Sequence, residues 1–343
     1  MNFTPRCMAT TLPTMPHRDP MEACRVMLEN FPEAPCIPRL SMSVRMYMDG
    51  MPCLVIDSQK KQLRYDLSKE GELQQFYEKV LSGDLDYFAM SPKYAPGFYI
   101  FLDFLKKSPP PQLKLVHTQM PGLLTWGLSL TDMSGRPAWY DRTMKEVLTH
   151  TLVMKAKWQT KKIREVLPDI KIMVTLGEPS LGMMSSPFGS ISEEEVIQTL
   201  NEFFQNVEGL GCVHCCSNMD WPQLMKTDIQ VINFDAYQFS EKIALYPREI
   251  NAFLKRGGML AWGIVPVAEE TFLSESEEHL LEKLEEGMEL LVRGGIDKQQ
   301  LVERSFITPC CTTATLSVDR AEQAFRYTKD ISREMRRKYF GES

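Results

Sequence analysis

Eight short apolar segments of strand length recur along the chain, most of them followed by a stretch of helical character, and this alternation restricts the fold more than any other feature. The segments are residues 7–12, 86–90, 113–118, 170–176, 211–215, 229–234, 258–265 and 305–308. Runs such as Ile172-Met173-Val174 and Val231-Ile232 are apolar without a break, the pattern of parallel strands covered on both faces. The gaps carry helix signals. Pro20 opens one helix, and Ser192 followed by Glu193, Glu194 and Glu195 is an N-cap with an acidic first turn. Residues 274–292 place Leu280, Leu284, Met288 and Leu291 on one face before the Gly294-Gly295 stop, and a last helix runs from about 319 to 339.

Strands alternating with helices specify an α/β protein with a parallel sheet. Eight repeats without an obvious break favour a closed (β/α)8 TIM barrel over an open, doubly wound sheet. At 343 residues, one barrel domain spanning 1–343 has room for an insertion after the first strand–helix unit, at about residues 28–81, and for a long helical region at 131–166. Within the first of these, Met42, Met46, Met48 and Met51 fall close together, as core filler or as a soft contact surface.

Charge and hydropathy exclude several function classes. The net charge is −6 and no long basic run exists, so no nucleic-acid partner is expected. No apolar run approaches the roughly 18–20 residues of a membrane span, and the N-terminal residues lack the continuous apolar stretch of a secretion signal. The expected compartment is the cytoplasm, with no membrane contact.

Nine cysteines then need a reason. Four are scattered (Cys7, Cys24, Cys36, Cys53), whereas five crowd into Cys212/Cys215/Cys216 and Cys310/Cys311, the first group sharing its segment with His214. In a reducing compartment such crowding points to metal binding or catalysis before disulfides. The segment Gly211-Cys212-Val213-His214-Cys215-Cys216-Ser217-Asn218 ends the fifth strand. Side chains alternate along a strand, so His214 and Cys216 can point one way and Cys215 the other. Thr308-Pro309-Cys310-Cys311 ends the eighth strand, and Asp235 closes the sixth. A barrel gathers these ends on its C-terminal rim, where active sites of the fold lie. Imidazole and thiolates are ligands that zinc prefers, and three of them leave a position for substrate.

At these residues the chain resembles the cobalamin-independent methionine synthase superfamily, in particular single-barrel members related to the catalytic C-terminal half of the long enzymes, on a barrel of the uroporphyrinogen decarboxylase/methionine synthase type. His214-x-Cys216 is similar to the paired zinc ligands of that family, and Thr308-Pro309-Cys310-Cys311 to its Pro-x-Cys-Gly segment, which makes Cys311 the third ligand. Thr10-Thr11-Leu12-Pro13-Thr14 resembles the opening Thr-Thr-Ile-Gly-Ser, with Pro16-His17 following as in short members. Residues 119–125 resemble a Gly-Pro-containing turn, and Glu178-Pro179 resembles an Asp-Glu-Pro segment.

The resemblance implies Zn2+ as cofactor, bound by His214, Cys216 and Cys311, with Asp235 as a fourth, displaceable and catalytic oxygen ligand or as a group just behind the ligands. It implies methyl transfer to a small thiol, homocysteine in the best-known members, bound to zinc as thiolate. The methyl donor it implies is a methylated corrinoid carried by a partner protein, or methyltetrahydrofolate. Glu178 would pair with the substrate amino group, Thr14 would hold its carboxylate, and Asn218 and His17 would border the pocket; for His17, support of the turn before Asp19-Pro20 is the other reading. Four residues depart from the family pattern: Pro13 and Gly177 replace a glycine and an aspartate, and Ser217 and Thr312 replace glycines after the metal cysteines. Methyl transfer to another small thiol, such as a coenzyme thiol, and a non-catalytic metal- or corrinoid-binding member stay open beside the main reading.

Overall fold

Ten strands are present in a computed structural model that describes residues 3–40, 44–57, 62–185 and 191–342. In chain order they are β1 (Met8–Ala9), β2 (Leu54–Asp57), β3 (Gln62–Tyr65), β4 (Leu115–Pro121), β5 (Thr131–Asp132), β6 (Lys171–Gly177), β7 (Leu210–Cys215), β8 (Val231–Phe234), β9 (Met259–Val265) and β10 (Ser305–Pro309). Seven of them make one curled sheet in the order β1-β10-β9-β8-β7-β6-β4, parallel at every pairing. The helices lie outside this sheet, as connections between parallel neighbours require. The remaining three strands, in the order β2-β3-β5, form a small separate sheet.

Residues 33–39 fill the gap between β4 and β1. On one side Leu115 N donates to Glu33 O, His117 N to Pro35 O and Ile37 N to His117 O; on the other, Arg39 N donates to Pro13 O and Met15 N to Arg39 O. This segment is the second position of a TIM-barrel wall, and it lies inside the stretch expected to be an insertion. Pro32, Pro35 and Pro38 remove the strand pattern from its sequence while its remaining amides and carbonyls still reach both neighbours. The expected second strand at 86–90 is instead a 3-10 helix, Leu85–Phe88, whose end is capped by the Asp84 side chain accepting from Tyr87 N. Leu85 and Phe88 are three residues apart, the period of that helix and not of a strand. The other seven expected segments coincide with strands. Of the clustered methionines, Met46 and Met51 are buried in the core, and Met42 lies outside the described residues.

Helix ends follow their local chemistry. Asp19, Asp141, Ser192, Ser276 and Ser317 each accept a backbone N–H of the first turn of the helix that follows. The terminal helix Val318–Phe340 closes on Gly341 at φ +63°, and its Ser332 hydroxyl donates to Cys7 O, tying the C-terminal helix to β1. Among the described residues no helix is long and apolar enough to cross a membrane.

The barrel interior is layered. Met8, Ala34, Leu115, Met173, Val231, Met259 and Phe306 pack into an apolar floor. Two residues further along five of these segments the inward side chains become polar, Thr10, His117, Thr175, Asn233 and Thr308, all buried, whereas β9 continues apolar with Ala261. One more step brings the chain to the C-terminal mouth, with Gln119, Gly177, His214 and Asp235.

Candidate metal centre

Two strand ends build the centre. On β7, Cys212, His214 and Cys216 share the inward face, whereas Val213 and Cys215 pack outward in the apolar cluster beneath the helices, with the Cys215 thiol on Ser217 O at 3.5 Å. On β10 the phase changes. Phe306 and Thr308 point inward, and simple alternation would aim Cys310 inward next. The pairing of β10 with β9 shifts register between Thr308 and Pro309, so that Pro309 stands opposite Val265. The shift skips Ile264 of β9, Cys310 N donates to Val265 O, and the chain bends after Pro309, which presents Cys311 to the mouth and leaves Cys310 buried in the apolar cluster. Gly263 makes room for it: a Cβ there would lie 2.7 Å from Cys310 Cα and 2.6 Å from Phe234 O. The outcome is one cluster in which a His214 ring nitrogen, Cys216 Sγ and Cys311 Sγ all lie within 4.8 Å of one another.

Asn233 sets the state of the histidine. Its amide nitrogen donates to Ala261 O at 3.1 Å and to Thr308 Oγ1 at 2.9 Å. A carbonyl can only accept, so the amide oxygen must face His214 Nδ1, and Nδ1 must carry the proton. Nε2 therefore bears the lone pair; it is buried and has no hydrogen-bond partner among the described residues. An orphaned imidazole lone pair beside two thiols is the donor set of a three-ligand zinc site, with Asn233 as the group that orients the histidine. The two thiols share a proton. The Cys216 thiol hydrogen-bonds Cys311, which draws the Cys311 thiol down despite its burial and pushes the Cys216 thiol up. Burial raises Cys212 and Cys215 to about 12, which keeps them thiols. All nine cysteines are free.

The other expected residues divide. Asp235 stands at the end of β8 beside the cluster but is not one of its three members. Its carboxylate caps the helix Ala236–Ile243, accepting from Gln238 N at 3.0 Å and Gln238 Nε2 at 2.7 Å, and burial raises it to about 6. Thr14 is buried, its hydroxyl accepting from Arg39 Nε at 2.7 Å. His17 is buried against the terminal helix, Nε2 at 3.3 Å from Glu322 Oε1, and its Nδ1 is without a partner among the described residues. Asn218 is exposed on the loop after β7.

Glu178 is fully buried and fully used. Its oxygens accept from Leu124 N, Thr125 N and Thr125 Oγ1 at 3.0, 2.9 and 2.8 Å, so it anchors the start of the helix Leu123–Ser129. Gly122 permits this, since a Cβ there would lie 2.0 Å from Glu178 Cδ. The structure thus gives this carboxylate three partners of its own, where an open amino-binding role was expected. Burial raises it to about 7 against the pull of those bonds.

Sequence reasoning missed Asn233, His117 and Arg39. The first two carried a signal, being polar residues at inward parity within apolar strands (Val231-Ile232-Asn233-Phe234 and Leu115-Val116-His117). Arg39 carried none, because its segment did not read as a strand. Gln119 is a further mouth residue, buried, with Oε1 unpaired among the described residues.

No family model matches the chain, and no curated protein matches it in sequence. Solved structures do match in fold. A B12-independent methionine synthase from Shewanella sp. W3-18-1, solved with selenomethionine, superposes with a TM-score of 0.59 at 12% identity, over 98% of this chain and 99% of that one. A chain assigned as the vitamin-B12-independent methionine synthase of Listeria monocytogenes gives 0.57 at 12% identity, over 92% and 85%. A methyltransferase from Methanosarcina mazei gives 0.54 at 13% identity, over 90% and 84%. The fold is that of methionine synthase-like methyltransferase barrels.

Proposed function

We propose that this chain is a zinc-dependent methyltransferase that activates a small thiol for attack on a methyl donor. The observation that carries the reading is the cluster itself: His214 Nε2 buried with its lone pair and no partner among the described residues, and Cys216 and Cys311 within 4.8 Å, on the rim where this fold does its chemistry. The shared fold with methionine synthase-like and methyltransferase chains supports it. A zinc ion held by the three residues would acidify a substrate thiol, so that a sulfur nucleophile exists at neutral pH.

The chain's own residues prepare the rest. Asn233 fixes the His214 tautomer, the apolar floor keeps water out from below, and Asp235 supplies a carboxylate beside the cluster. The reaction forms a sulfur–carbon bond and breaks the bond between the methyl carbon and its carrier. The electron pair of that bond leaves with the carrier, and the thiol proton goes to solvent or buffer.

Homocysteine is the acceptor in the main reading, and the Shewanella neighbour holds selenomethionine, an amino acid of the methionine class. The state of Glu178 favours a second reading. Its carboxylate is sealed and Gly177 offers none, so an acceptor without an amino group, such as a coenzyme thiol, fits this mouth as well. As donor we propose a methylated corrinoid on a partner protein, with methyltetrahydrofolate as the alternative. The test is metal analysis followed by activity across a matrix of thiols and methyl donors. About one zinc per chain is expected, lost in His214→Ala and in Cys311→Ala. Full metal in both variants, or no methyl transfer from either donor to any thiol, rejects the proposal.

A further inference from the structure

A cavity of about 400 Å³ opens on the same rim, between the loops that follow β1 and residues 33–39. Arg18, Arg39, Arg45 and Lys93 line it, and its lining contains no acidic residue, although the chain as a whole carries a net charge of −6. Arg18, Arg39 and Lys93 alone bring three charges of one sign together, which is retained at a cost unless something anionic visits. The cations are held in place by other contacts. Arg45 and Lys93 flank the Tyr94 ring at 5.2 and 5.4 Å from its centre, and Arg39 is fixed by Thr14 Oγ1 and, at 3.5 Å, by the Tyr47 hydroxyl. Neither Arg18, Arg39 nor Lys93 forms an ion pair among the described residues.

A second feature points the same way. The twelve-residue helix Pro96–Lys107 begins in this cavity, with Ala95, Pro96 and Gly97 in the lining, and no side chain caps it. Pro96 carries no N–H and Phe98 N donates to Ala95 O, so what the helix turns toward this space is the positive end of its dipole. The cavity is also joined to the metal centre: Thr14, which holds Arg39, accepts through its carbonyl from Thr313 Oγ1 at 3.5 Å, two residues beyond Cys311.

We propose that this cavity binds an oxyanionic group, a phosphate or a carboxylate, carried by one of the reactants. That the group belongs to a reactant rests on the methyl-transfer reading above; the anion site itself does not. The experiment is calorimetric titration of the full chain at fixed ionic strength, one arm with inorganic phosphate and one with glutarate, the tighter arm giving the chemical source. Binding of at least one anion is expected, weakened by roughly tenfold or more in Arg45→Gln/Lys93→Gln, since charge-assisted hydrogen bonds are each worth that much. Both side chains are exposed, so the fold tolerates the change. Lys106→Gln/Lys255→Gln removes the same two charges from exposed positions outside the cavity and should bind as the parent does. Absence of binding in both arms, or equal weakening in the two double variants, overturns the site. Anion binding by a chain that takes up no zinc would leave the site standing and sink the reactant assignment instead.

Discussion

Replacing Gly263 by alanine tests the architecture that brings Cys311 to the metal centre. The added Cβ would sit 2.6 Å from Phe234 O, 2.7 Å from Cys310 Cα and 3.1 Å from Pro309 O, all three backbone atoms that no rotamer change can move aside. Carbon atoms pack comfortably no closer than about 3.5 Å, so the Pro309-Cys310 segment must retreat by roughly 0.8 Å. Overpacking of this kind costs about 1–3 kcal/mol. The larger effect falls on the metal, because Cys311 is the next residue and ligand distances are held within about 0.2 Å. Calorimetry should show Tm lowered by a few degrees, and competition with a chromophoric chelator should show zinc released at lower chelator concentration than from the parent. Gly71→Ala is the companion measurement. Gly71 lies in the exposed first turn of the helix Glu70–Ser82 with nothing within 4 Å of an added Cβ, so stability should hold or rise slightly while zinc is unaffected. Parental Tm together with parental chelator resistance in Gly263→Ala would refute the role given to the bend after Pro309.

Asn233→Leu should leave a folded barrel whose zinc affinity is about 10–100-fold lower, because the group that fixes the His214 tautomer is gone; unchanged affinity in the chelator competition would show that Asn233 does not orient the histidine. Cys216→Ala should lose the metal and Cys215→Ala should keep it, read by zinc content after desalting; loss in both would contradict the alternation of β7. Glu178 binds its proton more tightly in the folded chain, at about 7, than in the unfolded one, near 4.5. Folding stability from this group therefore falls as pH rises from about 4.5 to about 7 and levels off above, by an amount on the order of 3 kcal/mol. Glu178→Gln should remove that slope in urea titrations between pH 5 and 8, and identical slopes in both proteins would count against the buried carboxyl as its source.

Much of the barrel was legible because parallel strands buried on both faces leave continuous apolar runs, and seven of the eight expected segments coincide with strands. The second wall position was not legible. Residues 33–39 hold their place by pairing with β4 and the chain after β1, and three prolines erase the local pattern that would have revealed them. At the centre, β7 parity gave the inward His214 and Cys216 and the outward Cys215. On β10 parity alone would have selected Cys310, and only the resemblance to a known segment chose Cys311; the bend after Pro309 that makes the difference packs against Gly263, far away in sequence. Only the resemblance points Glu178 to a substrate amino group, and its sequence neighbours say nothing of Gly122, whose missing side chain lets the carboxylate reach a helix start. Long-range fit decided each of these cases.

The polar middle layer of the barrel has a consequence for how the site would respond to acid. The Thr10 hydroxyl spends its proton on Ala34 O, so it can only accept from His117 Nδ1, and His117 Nε2 is left to accept from the Thr175 hydroxyl. Every donor in the chain is already committed, and burial holds the imidazole neutral down to about pH 3. His117 therefore stays neutral across the range in which cells live and adds no titration of its own beneath the cluster.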